Sequence, residues 1–334
     1  MNINKKRKIC VLTGKRGGFG ALIPTMQLID RDPELELSVI ATDMHLSNKF
    51  GNTIAEVERW VKNVFYAPMN QKDDLPVSRA KALSVCMRGI SETLDSLKPD
   101  ILMVIGDRGE VVAAVLAALH LNIPVAHIQG GDISGNIDEI MRHAVTKMSH
   151  IHFASTEESA KRIKMMGEEE WRIHVVGDPH IDMIVQKKYT EGKEVRKLYD
   201  ITPDESFILV LVHPETTYHA NSYTNMKTVL ETAAGYNLRT LVVYPCSDHG
   251  HQGILDAISR FAVGKGFSTH KNIEAVNFWG LMSEASVLIG NSSAGLIETP
   301  YFNLPVVNLG IRQTGRQRWI NVIDCRFDSS AIKK

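Results

Sequence analysis

The chain is expected to be an α/β protein of two doubly wound, Rossmann-like domains, and three observations predict this. Short β-branched apolar runs alternate with helix-length periodic segments from one end to the other, the pattern of parallel strands joined by crossover helices. The 334 residues suffice for about two domains, each able to bury its own core. A polar, charge-rich stretch interrupts the series once, so residues 1–178 and 206–334 read as domains and 179–205 as a linker.

In the first half, strands are expected at Lys8 to Thr13, Leu37 to Thr42, Ile101 to Ile105, Val125 to Ile128 and His152 to Ala154. The alanine-rich run Val111 to Leu121 reads as a buried crossover helix, being too short to cross a bilayer. Asp138 to Lys147 reads as a helix with charge pairs on two adjacent faces. The second series of strands is expected at Phe207 to Val212, Thr240 to Tyr244, Ile273 to Val276, Val287 to Ile289 and Val306 to Leu309. In such an arrangement ligands bind outside the carboxyl ends of the strands, here in a cleft between the two domains.

Composition narrows the function. The 38 basic and 38 acidic side chains cancel, so no broad positive field points to nucleic acid or to an anionic membrane. Four dispersed cysteines without a C-x-x-C pair argue against a zinc ribbon or a disulfide framework and fit a reducing, cytoplasmic setting. No metal is expected: Asp248-His249-Gly250-His251 lacks a third ligand at suitable spacing.

The polar residues that carry chemistry stand at strand ends. Gly290-Asn-Ser-Ser-Ala-Gly-Leu-Ile-Glu298 follows an apolar run and opens a helical pattern, so Ser292 and Ser293 suit a diphosphate and Glu298 a ribose. A plain N-cap pair with a solvent-facing Glu would look the same. Thr13-Gly-Lys-Arg16 begins a glycine-rich turn with a phosphate-sized cation at Arg16, but glycines at 14, 17, 18 and 20 fit neither a P-loop nor a dinucleotide fingerprint. Asp107, Asp132 and Asp138 come from successive strand ends, and crowded carboxylates can divide acid and base roles. His213, fixed by Pro214, ends the first strand of the second series. Arg312 and Arg316 lie on a glycine-containing loop suited to a diphosphate leaving group.

Together these segments resemble the UDP-N-acetylglucosamine 2-epimerase family, its hydrolysing branch in particular. The carriers are Thr13-Gly-Lys-Arg16, His45 with Phe50-Gly-Asn-Thr53, Gly106-Asp-Arg108, His127-Ile-Gln-Gly-Gly-Asp132, Ile137-Asp-Glu, Arg142-His-Ala-Val-Thr-Lys147, His213-Pro-Glu-Thr216, Gly290-Asn-Ser-Ser293, Glu298 and Asn308 to Arg316. The resemblance implies a glycosyltransferase-B type fold. It implies anti elimination of UDP from UDP-GlcNAc, or from a related UDP or GDP 2-acetamido sugar. Water then adds with inversion at C2, releasing N-acetylmannosamine or an analogue, as in sialic-acid biosynthesis.

It assigns Asp107, Asp132, Asp138 and His213 to catalysis, and Arg16, His45, Gln129, Arg142, Ser292, Ser293, Glu298, Arg312 and Arg316 to the substrate. No cofactor is expected, and the partners are a nucleotide-sugar substrate and a second copy in a homodimer, with neither nucleic acid nor membrane. Two departures stand out: Gln129 where some relatives have Glu and others His, and Asp132 where Glu is commoner. Relatives also usually continue into a C-terminal helix, so a chain shortened at Lys334 is expected. The alternatives are a non-hydrolysing epimerase, which keeps UDP on the product, and a nucleotide-sugar binder impaired in catalysis.

Overall fold

A computed structural model describes residues 6–135, 137–264 and 266–334, without the Arg16 side chain. The chain divides into two compact units, Met1–Ile133 with Ile137–Asp182, and Ser134–Asn136 with Met183–Lys334.

The first unit is built on seven parallel strands: β1 (Arg7–Thr13), β2 (Leu35–Thr42), β3 (Val64–Ala67), β4 (Ile101–Ile105), β5 (Val125–Ile128), β6 (Ile151–Ala154) and β7 (Ile173–Val175). Their order is β3-β2-β1-β4-β5-β6-β7, so the winding reverses between β1 and β4. Helices α1 (Arg16–Arg31), α2 (Ile54–Trp60), α3 (Pro76–Leu97), α4 (Gly109–His120), α5 (Ile137–Lys147), α6 (Glu157–Met165) and α7 (His180–Val185) accompany them. The alanine-rich run forms α4, and Ala114, Ala117 and Ala118 are buried with Ile90 and Leu94 of α3 over Leu102 and Val104 of β4. Small side chains let that helix press close to the sheet, and α3 supplies the bulk that fills the remaining space.

The second unit has six parallel strands: β8 (Phe207–Leu211), β9 (Arg239–Val243), β10 (Phe267–His270), β11 (Val287–Gly290), β12 (Val306–Leu309) and β13 (Val322–Cys325). Their order is β10-β9-β8-β11-β12-β13, and the winding reverses between β8 and β11. Its helices are α8 (Gly192–Leu198), α9 (Ser222–Ala234), α10 (His251–Phe261), α11 (Ala275–Glu284), α12 (Ala294–Ile297) and α13 (Ser329–Lys333). Ile208, Val210, Met226, Val229, Leu230, Ile254 and Ile258 form the core between strands and helices.

The structure adds to, or departs from, the expected elements in four places. The polar stretch 179–205, expected as a linker region, carries α7 and α8, and Arg196 of α8 pairs with Glu284 of α11 at 2.6 Å. Ile273 to Val276 is not a strand: Glu274 caps α11, and the strand before it is β10. Edge strands β3 (Val-Phe-Tyr-Ala), β7 (Ile-His-Val) and β13 (Val-Ile-Asp-Cys) are three or four residues long and go beyond the strands that the sequence predicts. The helix expected after Ser293 has only four residues before a 3₁₀ turn at Thr299–Phe302. Among the described residues, no helix is long and apolar enough to cross a membrane.

Candidate functional site

Each unit gathers polar side chains at the carboxyl ends of the strands flanking its reversal, where neighbouring connections diverge and leave room for ligands. In the first unit the centre is Arg142, only 2% exposed on α5. Its guanidinium forms an ion pair with Asp107, which follows β4, and Nη1 donates to the Asp132 carbonyl at 2.9 Å. The Asp132 carboxylate turns the other way and accepts the Ser159 hydroxyl at 2.6 Å. Asp107 and Asp132 are therefore brought together through one arginine rather than carboxylate to carboxylate. Asp138 occupies the first turn of α5, one helical turn before Arg142.

His127 holds this arrangement from below. Its Nε2 lies 2.8 Å from the Gly106 carbonyl, which only accepts, so that nitrogen carries the proton. Its Nδ1 lies 3.2 Å from the Thr146 hydroxyl, whose one proton is shared between that nitrogen and the Arg142 carbonyl 2.9 Å away. The imidazole thus ties the residue before Asp107 to the helix that carries Arg142.

Gln129 adopts a left-handed φ of 62°, a conformation costly for a side chain with a Cβ. It donates to Asp178 at 2.8 Å, and Asp178 also holds His180 Nδ1 at 2.6 Å. Burial alone would raise the Asp178 carboxyl, but His180 and the converging donors hold it below the usual carboxylate range. Neither Asp178 nor His180 carried a recognisable signal in the sequence.

His45 is held inside the fold. It is fully buried, with the Thr13 hydroxyl 2.9 Å from Nε2, the Thr53 hydroxyl 2.7 Å from Nδ1 and the Phe19 ring edge-on. It therefore fixes the turn after β1 from within. Arg16 opens α1, and its side chain lies outside the described residues.

A second buried cluster underlies the same turn. Arg108 pairs with Glu110 at 2.8 Å and Asp43 at 3.1 Å, while Arg79 reaches Glu110 at 2.9 Å and Asp43 at 3.2 Å. Gly14 packs on Glu110 so closely that a Cβ there would fall 2.6 Å from the carboxylate. Stranding one buried charge costs roughly 3–5 kcal/mol, so these four side chains act as one rigid support. Asp107 and Arg108, adjacent in sequence, consequently belong to different networks. Arg79 gives no sign of this role in sequence.

Burial pushes His45 and His127 down from 6.5 to about 4. Both stay neutral in the fold at pH 5, whereas the unfolded chain takes up protons below about 6.5. Stability is therefore complete above pH 6.5 and is lost as the pH falls toward 4, by up to ~3 kcal/mol for each imidazole. Urea titrations between pH 7 and 4 are expected to show a slope of about two protons or more, since His143, His152 and His270, also pushed down by burial, add to it. A flat profile would refute the enclosed state of both rings.

In the second unit, β8 and β11 end side by side, Leu211 opposite Gly290. Any side chain at Gly290 would overlap the Leu211 carbonyl, so glycine alone allows this approach. Beyond it lie His213, Asn291, Ser292 and Ser293. The Cys246 N–H donates to His213 Nδ1 at 3.1 Å, which leaves the ring proton on Nε2. The Ser292 hydroxyl accepts from Ala294 N–H at 3.4 Å, and Ser293 is the N-cap of α12. Arg312 donates to the Asn291 carbonyl at 3.3 Å and faces Asp248 at 3.7 Å, so it is drawn to the same strand end. Arg316 is half-buried on the following loop, its N–H bonded to Gln313. Glu298 is buried and accepts the Trp279 indole N–H at 2.6 Å, which commits one carboxylate oxygen to packing. Among the described residues, no cluster of three or more His, Cys, Asp or Glu is arranged to hold a metal.

Residues 27–334 match the protein family described as UDP-N-acetylglucosamine 2-epimerase. The chain is 36% identical over 327 residues to the UDP-N,N'-diacetylbacillosamine 2-epimerase (hydrolyzing) of Legionella pneumophila, covering 98% of this chain and 87% of that protein. It is 32% identical to the GDP/UDP-N,N'-diacetylbacillosamine 2-epimerase (hydrolyzing) of Campylobacter jejuni, covering 97% and 85%. Among solved structures, the UDP-GlcNAc 2-epimerase of Methanocaldococcus jannaschii in complex with UDP-GlcNAc and UDP matches with a TM-score of 0.81. Its identity is 20%, and 97% of this chain and 90% of that one are covered. At that identity the likeness concerns the fold, two Rossmann-like units of the glycosyltransferase-B type.

Proposed function

Because the chain belongs to the UDP-N-acetylglucosamine 2-epimerase family, we propose that it is the hydrolysing kind of 2-epimerase, acting on a UDP- or GDP-linked 2-acetamido sugar. The reaction breaks the C1–O bond to the nucleoside diphosphate and removes the C2 proton, giving a glycal. Water then supplies OH at C1 and a proton at the opposite face of C2, releasing free sugar and nucleoside diphosphate. The observation that carries this reading is 36% identity, over nearly the whole chain, to a protein named as a hydrolysing 2-epimerase.

The two polar clusters suit the two halves of this chemistry. A pyranose C2–H has no adjacent carbonyl to acidify it, so proton removal must be coupled to departure of a stabilised leaving group. Ser292, Ser293, Arg16, Arg312 and Arg316 are assigned to the diphosphate and Glu298 to the ribose. His213, with its proton on Nε2, is assigned to donate to the leaving phosphate. Asp107 and Asp138 are assigned the proton exchanges at C2 and with water. Arg142 holds Asp107 in place, and Asp132 and Gln129 border the sugar. Asp132 directs its carboxylate to Ser159, so a role through Arg142 suits it better than proton transfer.

The substrate is proposed to be a nucleotide-linked N,N'-diacetylbacillosamine, with UDP-GlcNAc the simpler member of the class. Incubation with UDP- and GDP-linked forms of both sugars, followed by mass spectrometry, is expected to yield free nucleoside diphosphate with free 2-epimerised sugar for at least one. Product that retains its nucleotide would assign the chain to the non-hydrolysing reaction. Binding of UDP without turnover of any of the four would exclude an enzyme of this specificity.

A further inference from the structure

Asn291 follows β11 and is fully buried. Its carboxamide meets the main chain of His213 twice: Oδ1 accepts the His213 N–H at 2.7 Å and Nδ2 donates to the His213 carbonyl at 2.9 Å. A carboxamide carries the same donor and acceptor as a peptide group, so this side chain extends the β8–β11 ladder one step past Leu211 and Gly290. The Asn291 main chain is held as well: its N–H donates to the Leu211 carbonyl at 3.2 Å, and its carbonyl accepts Gln313 Nε2 at 2.9 Å and Arg312 at 3.3 Å. His213 is thereby gripped at its main chain by Asn291 and at Nδ1 by the Cys246 N–H.

We propose that Asn291 is a positioning residue: its side chain sets where the His213 imidazole stands relative to the Ser292–Ser293 turn, and so sets the reach of Nε2 to the leaving phosphate. The inference rests on the reading of His213 as proton donor. The chemistry specifies the residue type. Aspartate would keep the acceptor for the His213 N–H but turn a second acceptor toward the His213 carbonyl, and alanine would remove both of these bonds. General acid catalysis is sensitive to distance on the scale of an ångström, so loss of the clamp acts on turnover rather than on anion binding.

The test is a double-mutant cycle between Asn291→Ala and His213→Ala, read by turnover of the best sugar nucleotide, by UDP affinity and by thermal midpoint. Asn291→Ala retains the main-chain carbonyl that takes Arg312 and Gln313. It is expected to slow turnover about tenfold while UDP affinity changes less than about twofold. In a His213→Ala background the second substitution is expected to slow turnover no further. Asn291→Asp, which preserves volume, is read in the same way should the alanine variant fail to fold, with the same slowing and the same lack of additivity. Effects that multiply in the double variant would overturn the inference, because Asn291 would then act elsewhere. A slowed His213→Ala beside an unchanged Asn291→Ala would overturn it while leaving the function intact. An unimpaired His213→Ala would remove both the proton-donor role and this inference.

Discussion

Asp107→Asn is expected to lower turnover at least ~100-fold, a general-base contribution of about 2.7 kcal/mol in barrier, with UDP affinity nearly unchanged. The carboxylate ends β4 in the first unit, paired with an arginine almost completely removed from water. Asparagine keeps the shape but neither accepts a proton in the transition state nor balances the guanidinium. Because Arg142 also donates to the Asp132 carbonyl, the helix should stay docked, and part of the stability lost with the ion pair should be retained. Apart from Arg16, the residues assigned to the diphosphate belong to the second unit, so nucleotide affinity is expected to separate a chemical defect from a folding one. Asp138→Asn should behave alike. If both variants release UDP at near-native rates, the acid–base assignment is wrong.

His213→Ala is the second large effect, with elimination expected to slow ~100-fold or more while the protein stays folded. The half-buried ring bonds the Cys246 main chain through Nδ1, so the proton available for transfer sits on Nε2. Without that donor the diphosphate must leave with its full charge, stabilised only by arginines and the serine turn. Single-turnover release of UDP is the appropriate measurement, since it isolates C1–O cleavage from the later addition of water. A variant as fast as the parent in that step would remove His213 from the mechanism.

Much of the fold was legible because central parallel strands are buried on both faces and read as continuous apolar runs. Ile101–Ile105, Val125–Ile128 and Val306–Leu309 have the bounds their side chains suggested. The edge strand Phe267–His270 carries Ser, Thr and His in succession at partly open positions, so the more apolar Ile273 to Val276 reads as the strand in its place. Glu274 settles that segment as a helix start.

The candidate site was legible where chemistry sits next to a strand end, as at Asp107, His213 and Ser292. It was obscure where partners are distant in sequence. Arg142 lies 35 residues from Asp107, Asn291 lies 78 from His213, and Arg79 reaches Asp43 from a helix with no motif of its own. His45 is a different case: the residue types around it suit a ligand contact, while in the structure it is buried with a hydroxyl on each ring nitrogen.

The most direct test is isotopic. In deuterated water enriched in oxygen-18, elimination followed by hydration predicts a free, C2-inverted sugar carrying one deuterium at C2 and oxygen-18 at C1, beside nucleoside diphosphate with no new label. A product with protium at C2, or with oxygen-18 in the released phosphate, would contradict cleavage of C1–O through a glycal.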